Sequence, residues 1–175
     1  MKYLSKTIIL STLLAVFTVS TGYAQTGEIK IGGGLIFGSG VTGIDQVDND
    51  LGIRVDGIYT INEEFRAGAD LGFYFPHEEN GFKQTVWELN FNGNYIFHSE
   101  EELLLYGLGG LNITSISFDQ SSQGFTASGS DSEVGLNLGG GLEYGLNFGD
   151  LFAELKYVLS DADQLVLGAG VRFGI

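Results

Sequence analysis

The sequence contains two histidines, His77 and His98. Histidine is the usual candidate for proton transfer or metal binding. His98, Ser99 and Glu100 are adjacent in the sequence. A histidine, a serine and a carboxylate together are the residue types of a nucleophilic hydrolase site. Successive side chains of a strand point to opposite faces, so these three cannot meet at one reacting atom. The histidines lie near opposite ends of one predicted strand, so a shared metal ion is not expected. We therefore predict no enzymatic activity and no cofactor.

Acidic side chains are grouped at two places where oxygen ligands could bind a divalent cation. Asp45, Asp48 and Asp50 lie close together, and Glu78 and Glu79 follow further along the chain. Carboxylate oxygens are the ligands that Ca²⁺ and Mg²⁺ prefer. The spacing Asp-x-x-Asp-x-Asp differs from that of a calcium-binding loop. We therefore predict a solvated acidic surface and no metal site.

The composition excludes several classes of function. The 175 residues include 28 glycines and no cysteine, which rules out disulfides, thiolate metal sites and cysteine nucleophiles. The formal net charge is -14, and a strongly acidic protein is poorly suited to bind nucleic acid through its phosphates. The length predicts one domain.

The N-terminus has the pattern of an export signal. Two lysines precede an apolar run over residues 7–19, and Gly22 and Ala24 have the small-residue spacing of a cleavage site. The run is shorter than the ~20 residues that a membrane-spanning helix needs. We therefore predict a signal peptide over residues 1–24 and a mature domain over residues 25–175.

Period-two alternation of apolar and polar residues recurs along the rest of the chain and predicts strands. One of these segments is apolar on both faces, and the alternation leaves its register open. The eight segments cover residues 28–37, 51–61, 64–75, 87–97, 103–113, 133–146, 151–160 and 164–173, of which 103–113 is the ambiguous one. No helical period of comparable length is present, so the mature chain is predicted to be all-β.

The connections alternate between long and short. The longest predicted loops cover residues 39–49, 76–83 and 114–132, and tight turns are predicted at residues 62–63 and 147–150. Shorter connections are predicted at residues 98–101 and 161–163. Short periplasmic turns and long outer loops are typical of outer-membrane barrels. The pattern predicts an eight-stranded antiparallel up-and-down transmembrane β-barrel. The 114–132 loop, rich in Ser, Gly and Gln, is the expected site of a surface ligand.

The polar faces of the segments combine long charged side chains with many glycines. A narrow eight-stranded lumen needs small residues beside long ones. It must also pair its charges, because an unpaired buried charge costs about 3–5 kcal/mol. The predicted lumen charge network consists of Lys30, Arg54, Asp56, Arg66, Asp70, Glu88, Glu143, Glu154, Lys156 and Arg172, with Glu28 as a further acid.

Aromatic residues of the apolar faces gather near the segment ends, as in the two girdles of a membrane barrel. The predicted interface aromatics are Tyr59, Phe65, Phe97 and Phe173 on the turn side and Phe37, Phe73, Phe75, Trp87 and Tyr157 on the loop side. The alternative is a secreted soluble barrel that buries its apolar face and binds an apolar ligand.

Three stretches carry a resemblance to a known family: the exported N-terminus with Gly22-Tyr23-Ala24-Gln25, the glycine-rich 106–110 and the stretch 168–173. Together with eight strands, they resemble the small outer-membrane β-barrel domain family, which includes the transmembrane domain of outer membrane protein A, outer membrane protein X and chains named porin family proteins. The family usually ends on an aromatic residue, whereas Phe173 is followed here by two further residues.

The resemblance implies an outer-membrane protein whose partners are lipopolysaccharide, the barrel-insertion machinery and a surface ligand. It implies a monomer with a structural or surface-interaction role. A narrow porin-like channel for small solutes is the alternative, although paired lumen charges would fill an eight-stranded interior.

Overall fold

The alternating segments close into a single barrel in the computed structural model, which describes residues 27–39, 50–79, 82–100, 102–122, 125–161 and 163–175. Each strand pairs antiparallel with the next, and β1 pairs with β8. The strands are β1 (Ile29–Ser39), β2 (Asp50–Thr60), β3 (Phe65–Glu79), β4 (Phe82–Glu100), β5 (Leu103–Ser122), β6 (Phe125–Leu146), β7 (Gly149–Leu159) and β8 (Gln164–Gly174). The predicted eight-stranded all-β barrel is confirmed.

Alternation along each strand separates the lumen from the outer surface. In β2, Arg54 and Asp56 are buried in the lumen, whereas Ile53 and Val55 are exposed outside. Two-sided segments of this kind are held in register by their side-chain period, because a slip of one residue would turn every side chain to the wrong face. Among the described residues, no helix is long and apolar enough to cross a membrane.

The ambiguous segment 103–113 has a defined register in the barrel. Tyr106 and Leu108 are buried in the lumen, and Leu111 is exposed on the outer face. Leu104, Tyr106 and Leu108 form an apolar cluster with Ile96 of β4. One face of the segment contributes to this apolar cluster and the other face forms the outer surface. The segment is therefore apolar on both faces.

The predicted loop over residues 114–132 is wrong in its conformation. β5 continues to Ser122 and β6 begins at Phe125, with paired residues from Thr114 and Glu133 onward to the strand ends. The predicted loops 76–83 and 98–101 are also largely strand, since β3 reaches Glu79 and β4 covers Phe82–Glu100. Serine and glycine suggested breaks, but cross-strand pairing supports continued strands, and alternation persists at Ile116 and Phe118.

The long strands form a sheet that projects beyond the barrel. We call this the hairpin sheet and define it as residues 75–79 of β3, 82–86 of β4, 115–122 of β5 and 125–135 of β6. Both ends of the described chain, and the turns after β2, β4 and β6, lie at the opposite end of the barrel. We call these two ends the hairpin end and the turn end.

The tight turn between β2 and β3 is stabilised by a side chain in addition to its backbone hydrogen bonds. The Oδ1 atom of Asn62 accepts hydrogen bonds from the backbone N–H groups of Glu64 and Phe65, at 2.9 and 2.8 Å. Such Asx turns are typical where Asn starts a reversal of the chain. The turn fixes the register of the β2–β3 hairpin at the turn end.

Several sequence predictions concern residues outside the described ranges. The signal peptide over residues 1–24 is one of them, and so are Asp45 and Asp48 of the first acidic group. The side chains of His77, Glu78 and Glu79 are likewise not described. Among the described residues, no group of three metal-ligating side chains comes together.

Candidate functional site

The centre of the lumen is organised around Arg172 of β8, whose side chain is fully buried. Its Nε donates to Asp56 Oδ2 of β2 at 2.7 Å, and its Nη1 donates to Glu143 Oε1 of β6 at 2.5 Å. The guanidinium also lies 4.0 Å from the ring centroid of Phe152, a cation–π distance. One arginine therefore joins three strands that are distant in sequence.

Arg54 extends this arrangement toward the hairpin end. Its Nη1 donates to Glu154 Oε1 at 2.7 Å, and its Nη2 donates to Asp56 Oδ2 at 3.0 Å. The hydroxyl of Tyr106 donates to the second oxygen of Glu154 at 2.9 Å. Charge-assisted hydrogen bonds of this kind are the strongest polar contacts in a low-dielectric interior. The pairing offsets the cost of burying both charges.

Toward the turn end, Glu143 is shared among several cations. Arg66 Nη1 donates to both of its oxygens, at 2.8 and 2.9 Å, and Lys30 Nζ lies 3.5 Å from Oε2. Lys30 also pairs with Asp150 at 2.8 Å. Glu28, which the sequence suggested as the further lumen acid, is exposed, and Asp150 stands in its place. Asp150 was assigned to a turn, but β7 begins at Gly149.

Toward the hairpin end, Lys156 lies between Glu88 and Asp70, at 3.3 and 3.9 Å. A ladder of buried asparagine amides surrounds these acids. Asn90 donates to Asp70 at 2.8 Å, and Asn112 donates to Asn90 at 2.8 Å and to Glu88 at 3.1 Å. No local feature of the sequence indicates that asparagines from separate strands would meet.

All ten residues of the predicted lumen charge network lie inside the barrel and take part in these contacts. Between the network and the hairpin end, the lumen is filled by an apolar cluster: Ile36, Tyr74, Val86, Val158 and Val166. At the turn end, a cavity of about 340 Å³ is open, lined by Lys30, Arg66 and Leu104 among others. The interior thus opens toward one end and is closed by apolar side chains at the other.

Glycines make room for the long side chains of the network. A Cβ atom on Gly32 would contact the Asp56 carboxylate and lie 2.6 Å from Cγ of Arg172. Contacts this close require a neighbour to move, and overpacking of an interior typically costs about 1–3 kcal/mol. Gly57, on the outer face of the adjacent strand, has no heavy atom within 4 Å of the same position.

These two glycines give a matched test of lumen packing. We expect Gly32→Ala to lower the free energy of unfolding by about 1–3 kcal/mol, because Arg172 must shift away from its carboxylates. Gly57→Ala should leave stability within about 0.5 kcal/mol of the parent, as exposed substitutions do. Urea titration of the folded barrel in lipid vesicles measures both. Equal stability of the two variants would contradict a tightly filled lumen at Gly32.

The outer surface carries a broad apolar band. Every predicted interface aromatic is exposed on it, and Phe65 of the turn end packs against Tyr95 at a ring distance of 5.3 Å. On β4, the apolar band extends from Trp87 to Phe97. At about 3.4 Å per residue and a tilt of about 45°, this segment spans roughly 24 Å, the height of the apolar band of outer-membrane barrels.

The band ends abruptly at the base of the hairpin sheet. The cross-strand row Leu89–Ile113–Val134 is apolar, and the next outward row consists of Trp87, Ser115 and Ser132. The Ser132 hydroxyl donates to Ser115 Oγ at 3.1 Å. Beyond this row, the described outward side chains of β4, β5 and β6 are polar. The change from aliphatic groups to hydroxyls, with a tryptophan between, is typical of a membrane–water boundary.

The two edges of the hairpin sheet differ. On one side, the edge segment of β3 is short, contains Pro76 and follows a register shift between Tyr74 and His77. On the other side, β5 is the partner of residues 125–135 of β6 within the described part of the chain, since pairing with β7 starts at Leu136. No register shift interrupts the described β5–β6 pairing. Prolines and bulges protect edges, so the β6 edge is the one left able to accept another strand.

A closed antiparallel barrel with an ion-paired interior and an apolar outer band defines an integral β-barrel membrane protein. The sequence matches the family described as outer membrane protein beta-barrel domain over residues 9–173. The chain belongs to this family and is an integral protein of the outer membrane. The alternative of a soluble barrel is wrong, because the interior holds the charges and the apolar face is exposed.

Solved structures support the same fold. Ail, the attachment invasion locus protein of Yersinia pestis, crystallised with the heparin analogue sucrose octasulfate, is 24% identical, with a TM-score of 0.58 over 85% of this chain and 100% of its own. Neisserial surface protein A is 20% identical, with a TM-score of 0.62 over 88% and 100%. The N-terminal β-barrel domain of Pseudomonas aeruginosa OprF is 18% identical, with a TM-score of 0.61 over 86% and 98%. No curated protein matches the sequence significantly.

Proposed function

We propose that the protein is a non-enzymatic surface-interaction protein, whose hairpin sheet binds an extended segment of another protein. The observation that carries this proposal is the free β6 edge over residues 125–135. An open edge presents unpaired backbone N–H and C=O groups that a further strand can satisfy. The sheet stands beyond the apolar band, where partners from outside the cell have access to it.

The charge of the edge indicates the chemistry of its partner. Asp131 and Glu133 lie on the edge segment, and Asp119 lies on the adjacent strand. Asp131 and Asp119 are exposed. A second copy of the same edge would place like charges together, which destabilises strand pairing. A segment rich in lysine or arginine would instead be attracted. We therefore expect a basic, extended polypeptide as the occupant.

The same charges distinguish this chain from one of its structural neighbours. Ail was crystallised with sucrose octasulfate, a heparin analogue. Heparin-like ligands are polyanions, and the hairpin sheet of the present chain offers them mainly carboxylates, with Lys83 as its basic residue. A polyanionic ligand is therefore not part of the proposed function. The lumen contacts support a structural role for the charge network in holding the barrel that carries the sheet.

A channel is the second candidate, and the lumen gives it less support. Five apolar side chains close the hairpin end, and ion pairs cross the region below them. Eight-stranded barrels have interiors that side chains just fill. Sustained conductance steps from the purified barrel in planar bilayers would overturn this part of the proposal.

The strand-addition proposal is tested by proline at neighbouring edge positions. Ser130→Pro and Asp131→Pro each remove one N–H, and since adjacent N–H groups of a strand point to opposite sides, one of the two lies on the open edge. The probe is a fluorescent octapeptide of alternating lysine and valine. We expect the open-edge variant to bind it about tenfold more weakly while keeping the heat-dependent gel mobility of a closed barrel.

Two controls make the result specific. Asp161→Pro, in the connection after β7, leaves the edge intact and should bind the peptide as the parent does. A peptide with the same number of lysines but a proline in place of one central valine should bind the parent weakly, because it cannot form a continuous strand. Equal binding of the two peptides would show attraction by charge alone and would contradict strand addition.

A further inference from the structure

The backbone of the β6 edge is oriented by a hydrogen bond from the neighbouring strand. The hydroxyl of Ser115 on β5 donates to the backbone carbonyl of Asp131 at 3.4 Å, so this carbonyl points toward β5. In a planar trans peptide, a carbonyl and the N–H group that follows it point in opposite directions. The N–H group of Ser132 therefore points away from β5, toward the open edge of residues 125–135.

This N–H group already has a hydrogen-bond acceptor from its own strand. The Oδ1 atom of Asp131 accepts from the Ser132 N–H group at 2.9 Å, although both residues are exposed. The carboxylate of the preceding residue thus occupies the position that a carbonyl of an added strand would take. Charged side chains on edges are a common protection of sheets against unwanted pairing. The β6 edge is therefore capped at one N–H group by a side chain.

The position of Asp131 in the sheet indicates what releases this cap. Asp131 pairs with Ile116, which packs against the apolar cluster that closes the lumen, so Asp131 belongs to the inner face of the hairpin sheet. An added strand would place one of its side chains beside Asp131 on that face, at the distance of cross-strand neighbours. A basic side chain there attracts the carboxylate, a neutral one offers it no partner, and an acidic one repels it.

We propose that Asp131 selects the strand that binds at the β6 edge, an inference that rests on the proposed strand addition. In the free protein, its carboxylate caps the Ser132 N–H group and disfavours neutral strands. A lysine or arginine of an incoming strand draws the carboxylate away, and the released N–H group donates to a backbone carbonyl of that strand. Recognition of the basic residue and opening of the edge are therefore coupled through one side chain.

The test uses two fluorescent octapeptides with blocked ends: the alternating lysine–valine peptide, and an alternating threonine–valine peptide without charged side chains. We expect the parent to bind the neutral peptide about tenfold more weakly than the basic one. Asp131→Ala removes the cap, so it should bind the neutral peptide about fivefold more tightly than the parent does. Attraction by charge alone predicts an unchanged affinity for the neutral peptide, and that result would overturn the proposal.

Two further variants separate the cap from the charge. Asp131→Asn retains an acceptor oxygen but lacks the charge, so it should bind both peptides weakly. Glu133 lies two residues further along the same face, and among the described residues it accepts no hydrogen bond from the edge. Glu133→Ala should therefore leave the affinity for the neutral peptide unchanged. Tighter binding of this peptide by Glu133→Ala as well would overturn the assignment to Asp131.

Amide hydrogen exchange measures the cap without any peptide. In NMR spectra of the folded barrel, the Ser132 N–H group should exchange with solvent about fivefold faster in Asp131→Ala than in the parent, after correction for the intrinsic rate of each sequence. Equal exchange rates would overturn the cap. Heat-dependent gel mobility confirms that each variant is folded.

The failure of strand addition itself has a different signature. Ser130→Pro removes an N–H group on the same side of the strand as that of Ser132, since alternate N–H groups point the same way. If this variant bound the basic peptide as the parent does, strand addition would be wrong, and the selective role of Asp131 with it. The exchange rates would still show whether the cap exists, so the two failures are distinguishable.

Discussion

Arg172→Met is expected to lower the free energy of unfolding by about 3–5 kcal/mol, which is the largest effect that the structure predicts for a single side chain. The substitution preserves much of the side-chain volume but leaves Asp56 and Glu143 without the guanidinium that contacts both. Both carboxylates are buried, so solvent cannot replace the lost partner. Urea titration in lipid vesicles measures the loss, with fluorescence of Trp87, the single tryptophan, as the signal.

Two variants separate loss of pairing from loss of packing. The double variant Arg172→Met/Asp56→Asn removes one of the two carboxylates that lose Arg172 and should recover part of the lost stability. Arg54 keeps its pair with Glu154, and Glu143 keeps its pair with Arg66. Lys83→Met removes a charge from the exposed surface and should change stability by less than about 1 kcal/mol. If Arg172→Met cost no more than Lys83→Met, the lumen pairs would not contribute to stability as described.

The second large effect concerns the outer band. Leu138→Arg places a charge on the outward face of β6, near the middle of the band, where its side chain is 55% exposed. We expect a loss of about 2–4 kcal/mol in lipid vesicles, as for arginine at the bilayer midplane of other barrels. Asn147→Arg, in the turn after β6, should cost about 0–1 kcal/mol, because it lies at or beyond the interface.

A comparison of stability in lipid vesicles and in detergent micelles identifies the cause of this loss. In detergent micelles, whose apolar layer adapts more easily to a charge, the difference between Leu138→Arg and Asn147→Arg should shrink. A loss of the same size in both environments would indicate disrupted strand pairing and would contradict the assignment of Leu138 to the lipid-facing band. Folding in each medium is followed by the change in gel mobility on heating.

The barrel could be predicted from the sequence because apolar and polar residues alternate strictly where one face of a strand contacts lipid and the other contacts charged side chains. Arg54 and Ile53 show this contrast directly. The same alternation could not specify which charges would meet. Asp56 and Arg172 are 116 positions apart, and only closure between β8 and β1 brings them together. Partner choice is a property of the closed register and has no local signal.

In the hairpin sheet, the local sequence pattern predicts the wrong backbone conformation. Ser115 and Ser132 have low intrinsic preference for strands in comparison with β-branched residues, so local composition predicts a loop over residues 114–132. In the barrel, each of these residues is paired across the sheet, and the hydroxyls hydrogen-bond to one another. Long-range pairing stabilises a conformation that local composition disfavours. The register of the 103–113 segment has no local signal either: Tyr106 lies inward, where its hydroxyl donates to Glu154 of a distant strand.

The position of Arg172 on the last strand has a consequence for how the barrel is made. Until β8 joins β1, Asp56 and Glu143 lack their shared cation, and Gly32 and Gly34 lack the neighbours that enclose them. A nascent barrel of seven strands would hold unneutralised carboxylates in a partly wet interior. Because the final strand delivers this arginine, closure of β8 against β1 and completion of the lumen charge pairing coincide.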